Sequence, residues 1–69
     1  MNVSVLVITQ KGVLILVEHK QCMFYFDKFT ELSKSPALSL FNISYVWPDI
    51  ILFDDVDIKI AISEGVCTA

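Results

Sequence analysis

The chain has no arginine, two glycines, one histidine and one tryptophan among its 69 residues. Each scarcity removes a class of function. Arginine supplies the planar fork that grips phosphate and guanine with two hydrogen bonds and stacks on bases, whereas lysine acts as a point charge. With five lysines as the only strong bases and a formal charge of −3, nucleic-acid binding is disfavoured. Two glycines, at 12 and 65, cannot build a glycine-rich phosphate loop, and no GxSxG, HExxH or Walker pattern occurs. Chemistry at His19 would need Cys22, Cys67, a serine or a carboxylate brought beside it by the fold. Its place between Glu18 and Lys20 reads instead as an exposed turn. No cofactor is implied, and the chain is not expected to be an enzyme.

Long apolar runs are also missing. A membrane-spanning helix needs about 20 consecutive apolar residues. The runs at 3 to 8, 13 to 17 and 50 to 53 are short and are broken by Thr9, Gln10, Lys11, Glu18 and Asp54. The N-terminus "MNVSVLVITQKG" has no basic start and no small-residue cleavage site, so a secretory signal is not expected and the protein is read as cytoplasmic. Cys22 and Cys67 stand 45 positions apart without CxxC company, and they read as buried free thiols rather than as metal ligands or a disulfide framework. Asn-x-Ser occurs at Asn2 and Asn42 but matters only in the secretory pathway.

What the chain has in excess is apolar surface. Apolar and aromatic residues make up 55% without counting glycine, against roughly 45 to 50% with glycine in an ordinary domain. A chain of this length buries only about 60% of the surface its unfolded form exposes, so its core is small. The surplus must lie outside that core, where a contiguous patch marks an interface. A homodimer or an obligate complex partner is the expectation.

Along the chain, "VSVLVIT" and "VLILVEH" are rich in β-branched residues, lack helical periodicity and flank Lys11 and Gly12. They form a predicted hairpin in which Gly12 supplies a positive φ. Both runs are apolar on both faces and read as central strands covered on each side. After the connection "EHKQ", "CMFYF" is a third strand. Asp27 then caps a predicted helix of about two turns carrying Phe29 and Leu32, which Pro36 ends. From Phe41 to Trp47 strict alternation puts Phe41, Ile43, Tyr45 and Trp47 on one face, before Pro48 and Asp49 turn the chain. In the last section Val56, Ile58, Ile60 and Ile62 alternate with Asp57, Lys59, Ala61 and Ser63 as a half-buried strand, and Gly65 begins a short apolar tail.

Asp54, Asp55 and Asp57 crowd into four positions, which raises a metal or catalytic site. Calcium loops space their ligands by twos and add a bidentate Glu and a turn glycine; here only Asp55 and Asp57 have that spacing, with no such Glu or Gly following. Asp54 and Asp55 as a turn, with Asp57 as the wet position of a strand, account for all three without a ligand. They read as the rim of an interface. The acidity is local, because residues 49 to 69 carry five acids against Lys59 while residues 1 to 48 carry four lysines against three acids.

The segments "VLVITQKG" and "LFDDVDIKIAIS" resemble the opening strand and the Asp-Asp strand of the small carbon-storage-regulator RNA-binding proteins, which are intertwined β-dimers. The resemblance covers about twenty residues and is interrupted by a stretch that family lacks. The arginines that family uses for RNA have no counterpart here, so no RNA-binding residue carries over.

The expected fold is a single mainly β domain with some α character: five or six short antiparallel strands in meanders and one short helix, closed as a small barrel or completed by dimerisation. The expected function is a non-enzymatic protein-interaction or regulatory module, an inhibitor or accessory subunit of the kind viruses and phages encode, acting through an apolar β face or strand edge. The candidate interface residues are Tyr25, Tyr45, Trp47, Asp54, Asp55 and Asp57. The alternative is a small β-barrel that binds single-stranded nucleic acid by stacking bases on its aromatic rings.

Overall fold

The two apolar runs at the N-terminus become strands because their β-branched side chains pack well on a pleated surface and resist a helix. In the computed structural model, which describes residues 1–68, they form β1 (Val3–Ile8) and β2 (Gly12–Val17). β3 (Lys20–Tyr25) completes an antiparallel meander. The connection before β3 is tighter than "EHKQ", since Lys20 already pairs with Val17 and only Glu18 and His19 turn the chain. Glu18 takes the left-handed conformation that so short a turn requires (φ 55°).

Gly12 serves a purpose other than the expected one. Its φ is not positive. Instead, a Cβ at this position would collide with the Phe24 carbonyl oxygen and would lie 2.9 Å from the Tyr25 Cα. The glycine is there because β3 passes too close for a side chain.

One turn of α-helix, α1 (Thr30–Ser33), follows, shorter than the two turns expected. Phe29 rather than Asp27 occupies its N-cap, and no side chain caps it. A helix of four residues has no stability of its own. It is held by Leu32, which is fully buried and contributes on the order of 2 kcal/mol. A 3-10 turn over Ala37–Leu40 buries Leu40 in the same way.

The second sheet has the order β4 (Ile43–Val46), β5 (Ile50–Phe53) and β6 (Ile58–Ala61), all antiparallel. Phe41 and Trp47, expected in line with Ile43 and Tyr45, lie outside β4 and are exposed. β6 starts two residues later than the alternation suggests. Asp57 is a turn residue with φ 54° rather than the wet position of a strand, and Ile62 lies in a 3-10 turn. The apolar tail is itself a strand, β7 (Val66–Thr68), which pairs with β3 and gives the first sheet the order β1, β2, β3, β7. The mainly β fold with one short helix is as expected, and the described residues form seven strands in two sheets where five or six strands were expected, the tail adding β7.

The core lies between the sheets. Val13, Ile15 and Phe24 from the first sheet meet Ile51, Phe53 and Ile60 from the second, with Leu32 and Leu40 closing the side. Edge strand β1 packs against edge strand β4. Phe24 and Phe29 stack in a tilted arrangement, ring centroids 5.7 Å apart. Gly65 rests on the Phe24 ring, where a Cβ would come within 2.7 Å. An exposed ion pair, Lys28 to Glu64 at 3.9 Å, adds little.

Cys22 and Cys67 face each other across β3 and β7 and are joined as a disulfide. They are not free thiols. The sequence hides this because a pairing at a separation of 45 depends on the tail returning to the first sheet. All three residues of β7 pair with β3, but three pairs are a short ladder for an edge strand.

Two consequences are measurable. Cys22→Ala with Cys67→Ala should lower the unfolding free energy by about 4 kcal/mol, read as a shift in the urea midpoint, because the bridge spans a sequence separation of 45 and closes that loop in the unfolded chain. Gly12→Ala should cost about 1 to 3 kcal/mol in the same assay, as overpacking against backbone does.

Candidate functional site

The six candidate residues do not converge. Trp47, 82% exposed, stands on the turn between β4 and β5, while Asp54, Asp55 and Asp57 occupy the turn at the other end of β5. Four strand residues, about 13 Å, separate the two turns. Tyr45 is half-buried and pairs with the buried Ile51, so its ring faces the core side. Its hydroxyl donates to the Pro48 carbonyl and closes the turn. Tyr25 belongs to the other sheet.

The aspartate turn is engaged locally. Asn42 Nδ2 donates to Asp55 Oδ1 at 3.2 Å and Ser44 Oγ donates to Asp54 Oδ1 at 3.3 Å. The Asp54 amide donates to the Asn42 carbonyl at 3.0 Å. These bonds tie the turn back onto the start of β4. Among the described residues no three His, Cys, Asp or Glu side chains are gathered as a metal-binding group.

His19 is exposed at the turn between β2 and β3 and lines an open groove of about 620 Å³. The disulfide and Val17 line the same groove, as do Asp49 and Ser63. Ser63 approaches Asp49 through its backbone, its amide donating to Asp49 Oδ2 at 3.2 Å. No hydrogen bond links His19 to a serine or a carboxylate among the described residues. The groove is a cleft between strand ends rather than a nucleophile–base arrangement.

The feature that does gather is the outer face of the first sheet. On β2 the residues Val13, Ile15 and Val17 are buried while Leu14 and Leu16 point the other way and stay half-exposed. The register carries this alternation across all four strands. Val7 pairs with Leu14, Leu14 with Met23, and Met23 with Val66, which makes one apolar row from edge to edge. Beside it runs Ser4, Leu16, Gln21 and Thr68. Tyr25, 41% exposed, sits at the next position on β3, opposite Gly12, which has no side chain to cover it. Leu6 occupies a β-bulge in β1 and is also exposed.

No charged side chain falls on this face among the described residues. Solvent-facing sheet surfaces normally alternate apolar-in with polar-out. Here the polar positions are taken by Leu14, Leu16, Met23 and Val66. Of the expected interface residues, Tyr25 alone lies on it. The sequence names no other residue of this face, although its runs apolar on both faces imply a cover on both faces, of which the fold supplies one.

No protein-family model, curated protein or solved structure matches the chain.

The aspartates are read as turn formers on this geometry. Replacing Asp54, Asp55 and Asp57 together with Asn, which keeps the hydrogen-bonding shape and tolerates a positive φ, should move stability by less than about 1 kcal/mol. Added magnesium or calcium should shift the melting temperature of neither form.

Proposed function

We propose that this protein is a non-enzymatic interaction module, acting as an inhibitor or accessory subunit through the outer face of its first sheet. The observation that carries the reading is the uncharged row Val7, Leu14, Met23 and Val66, flanked by Leu16 and Tyr25. Leaving such side chains in water forfeits the transfer free energy that burial would recover, about 25 cal/mol for each Å² covered. A partner that covers the row recovers it. Tyr25 is the aromatic anchor of the surface, with an apolar ring on the sheet and a hydroxyl able to reach a partner or water.

A face is favoured over a strand edge. β1 carries a bulge and packs against β4, and β7 is only three residues long. Bulged, covered and very short edges are poor templates for strand addition. The stacking alternative draws less support, since Tyr25 lies on the first sheet and Trp47 on a turn of the second hairpin, and the chain has no arginine to line a groove between them.

The disulfide bears on where the module works. Such bonds persist in oxidising surroundings and are rare in the reducing cytosol. The bridge therefore pulls against the cytoplasmic expectation and favours an oxidising setting.

The test is a solvent-sensitive apolar dye added to the folded protein. Fluorescence should be enhanced, and Val7→Lys with Val66→Lys, both at exposed positions, should reduce it several-fold with an unchanged far-UV spectrum. Equal dye binding by the two proteins would remove this face as the interaction surface.

A further inference from the structure

We propose that the Cys22–Cys67 bridge is a thiol-exchange site: a small thiol joins Cys67 as a mixed disulfide, and the exchange releases β7 from β3. The proposal is independent of how the outer face is used.

Burial fixes which sulfur is attacked. Cys22 belongs to the core and has no exposed surface, whereas Cys67 is exposed on the edge strand. Both line the open groove of about 620 Å³ beside the turn between β2 and β3, a volume in the range of small-molecule sites. A thiolate entering the groove therefore reaches Cys67 and not Cys22. Its sulfur bonds to Cys67 Sγ, the Cys22–Cys67 bond breaks, and the electron pair leaves on Cys22 Sγ, which takes up a proton from water. The incoming sulfur is oxidised and Cys22 is reduced, so no further oxidant or reductant is needed.

Packing fixes what the exchange does to the fold. β7 buries none of its three side chains and supplies no residue of the core. Apart from the bridge it is held by three residue pairs and by Thr68 Oγ1, which donates to the Gln21 carbonyl at 3.4 Å. So short a ladder is marginal without a covalent tie. The chain just before it is anchored separately: Lys28 Nζ donates to the Glu64 carbonyl at 3.1 Å, and the Gly65 amide donates to the Ile62 carbonyl at 3.0 Å. Release thus begins after Gly65, while Val13, Ile15, Phe24, Ile51 and Phe53 keep their layer. What opens is the edge of β3 at Gln21, Cys22 and Met23, on a strand whose pairing with β2 runs without a bulge over all six residues. A regular edge of that length accepts an added strand, which the very short β7 edge does not.

The test treats the oxidised protein with reduced glutathione at mildly alkaline pH. Samples are quenched by alkylation and mapped by peptide mass spectrometry, with hydrogen exchange followed in parallel. The first product should carry glutathione on Cys67 and the alkyl group on Cys22, with about tenfold less of the reverse, because access selects the sulfur. Exchange should quicken about tenfold in peptides covering 20–25 and 66–68 and stay unchanged in 43–53, as local opening requires. Cys67→Ser, which removes the bridge without added thiol, should show the same pattern. Glutathione on Cys22 in equal or greater amount, or no adduct where the urea-unfolded protein forms one, overturns the exchange site. Unchanged exchange at 20–25, or faster exchange throughout 43–53, in both the adduct and Cys67→Ser overturns the release of β7 and leaves the bridge a structural staple.

Discussion

The structure depends on one constraint: β2 is apolar on both of its faces in a domain thick enough to cover only one. Val13, Ile15 and Val17 form the centre of the buried layer, and every other core group is arranged against them. Leu14 and Leu16, one residue out of phase, are left facing away. A slip of one residue would exchange the two sets. The register is fixed because the inner set meets Phe24, Ile51 and Phe53 while the outer set, among the described residues, meets only its neighbours in the same sheet and no second layer.

Around that strand the domain uses close contacts in place of size. β3 passes so near β2 that only glycine fits at position 12, and the Phe24 ring lies so near the chain's return that only glycine fits at position 65. Both glycines of the sequence are spent on Phe24 and its backbone. The disulfide acts at the same place, holding β7 to β3 one residue pair from Met23 and Val66. Stability and surface are therefore linked, since the bridge that retains β7 also keeps Val66 at the end of the apolar row.

The acidic turn belongs to the opposite side of the molecule in both position and purpose. Asp54 and Asp55 accept hydrogen bonds from Ser44 and Asn42 and so fasten the second hairpin. Asp57 takes the left-handed conformation that aspartate tolerates better than most residues and releases the chain into β6. Three carboxylates close in sequence are used for local geometry, and they remain in water where their charge costs least.

By itself the sequence determined the strand-rich class, the opening meander, the position of the short helix and the presence of more apolar side chain than one core could hide. These follow from local spacing: β-branched runs, alternation at 43 to 46, and Pro36 as a stop. Element ends were less legible, because whether Trp47 or Val56 continues a strand depends on which neighbour is present to pair with it. Only the tertiary structure decided that the tail returns as β7, that Cys22 meets Cys67, and that the outer face is continuous from Val7 to Val66. Each of these requires residues far apart in the chain to be placed side by side. Spacing along the sequence carries no record of that until the two sheets have closed on their shared core.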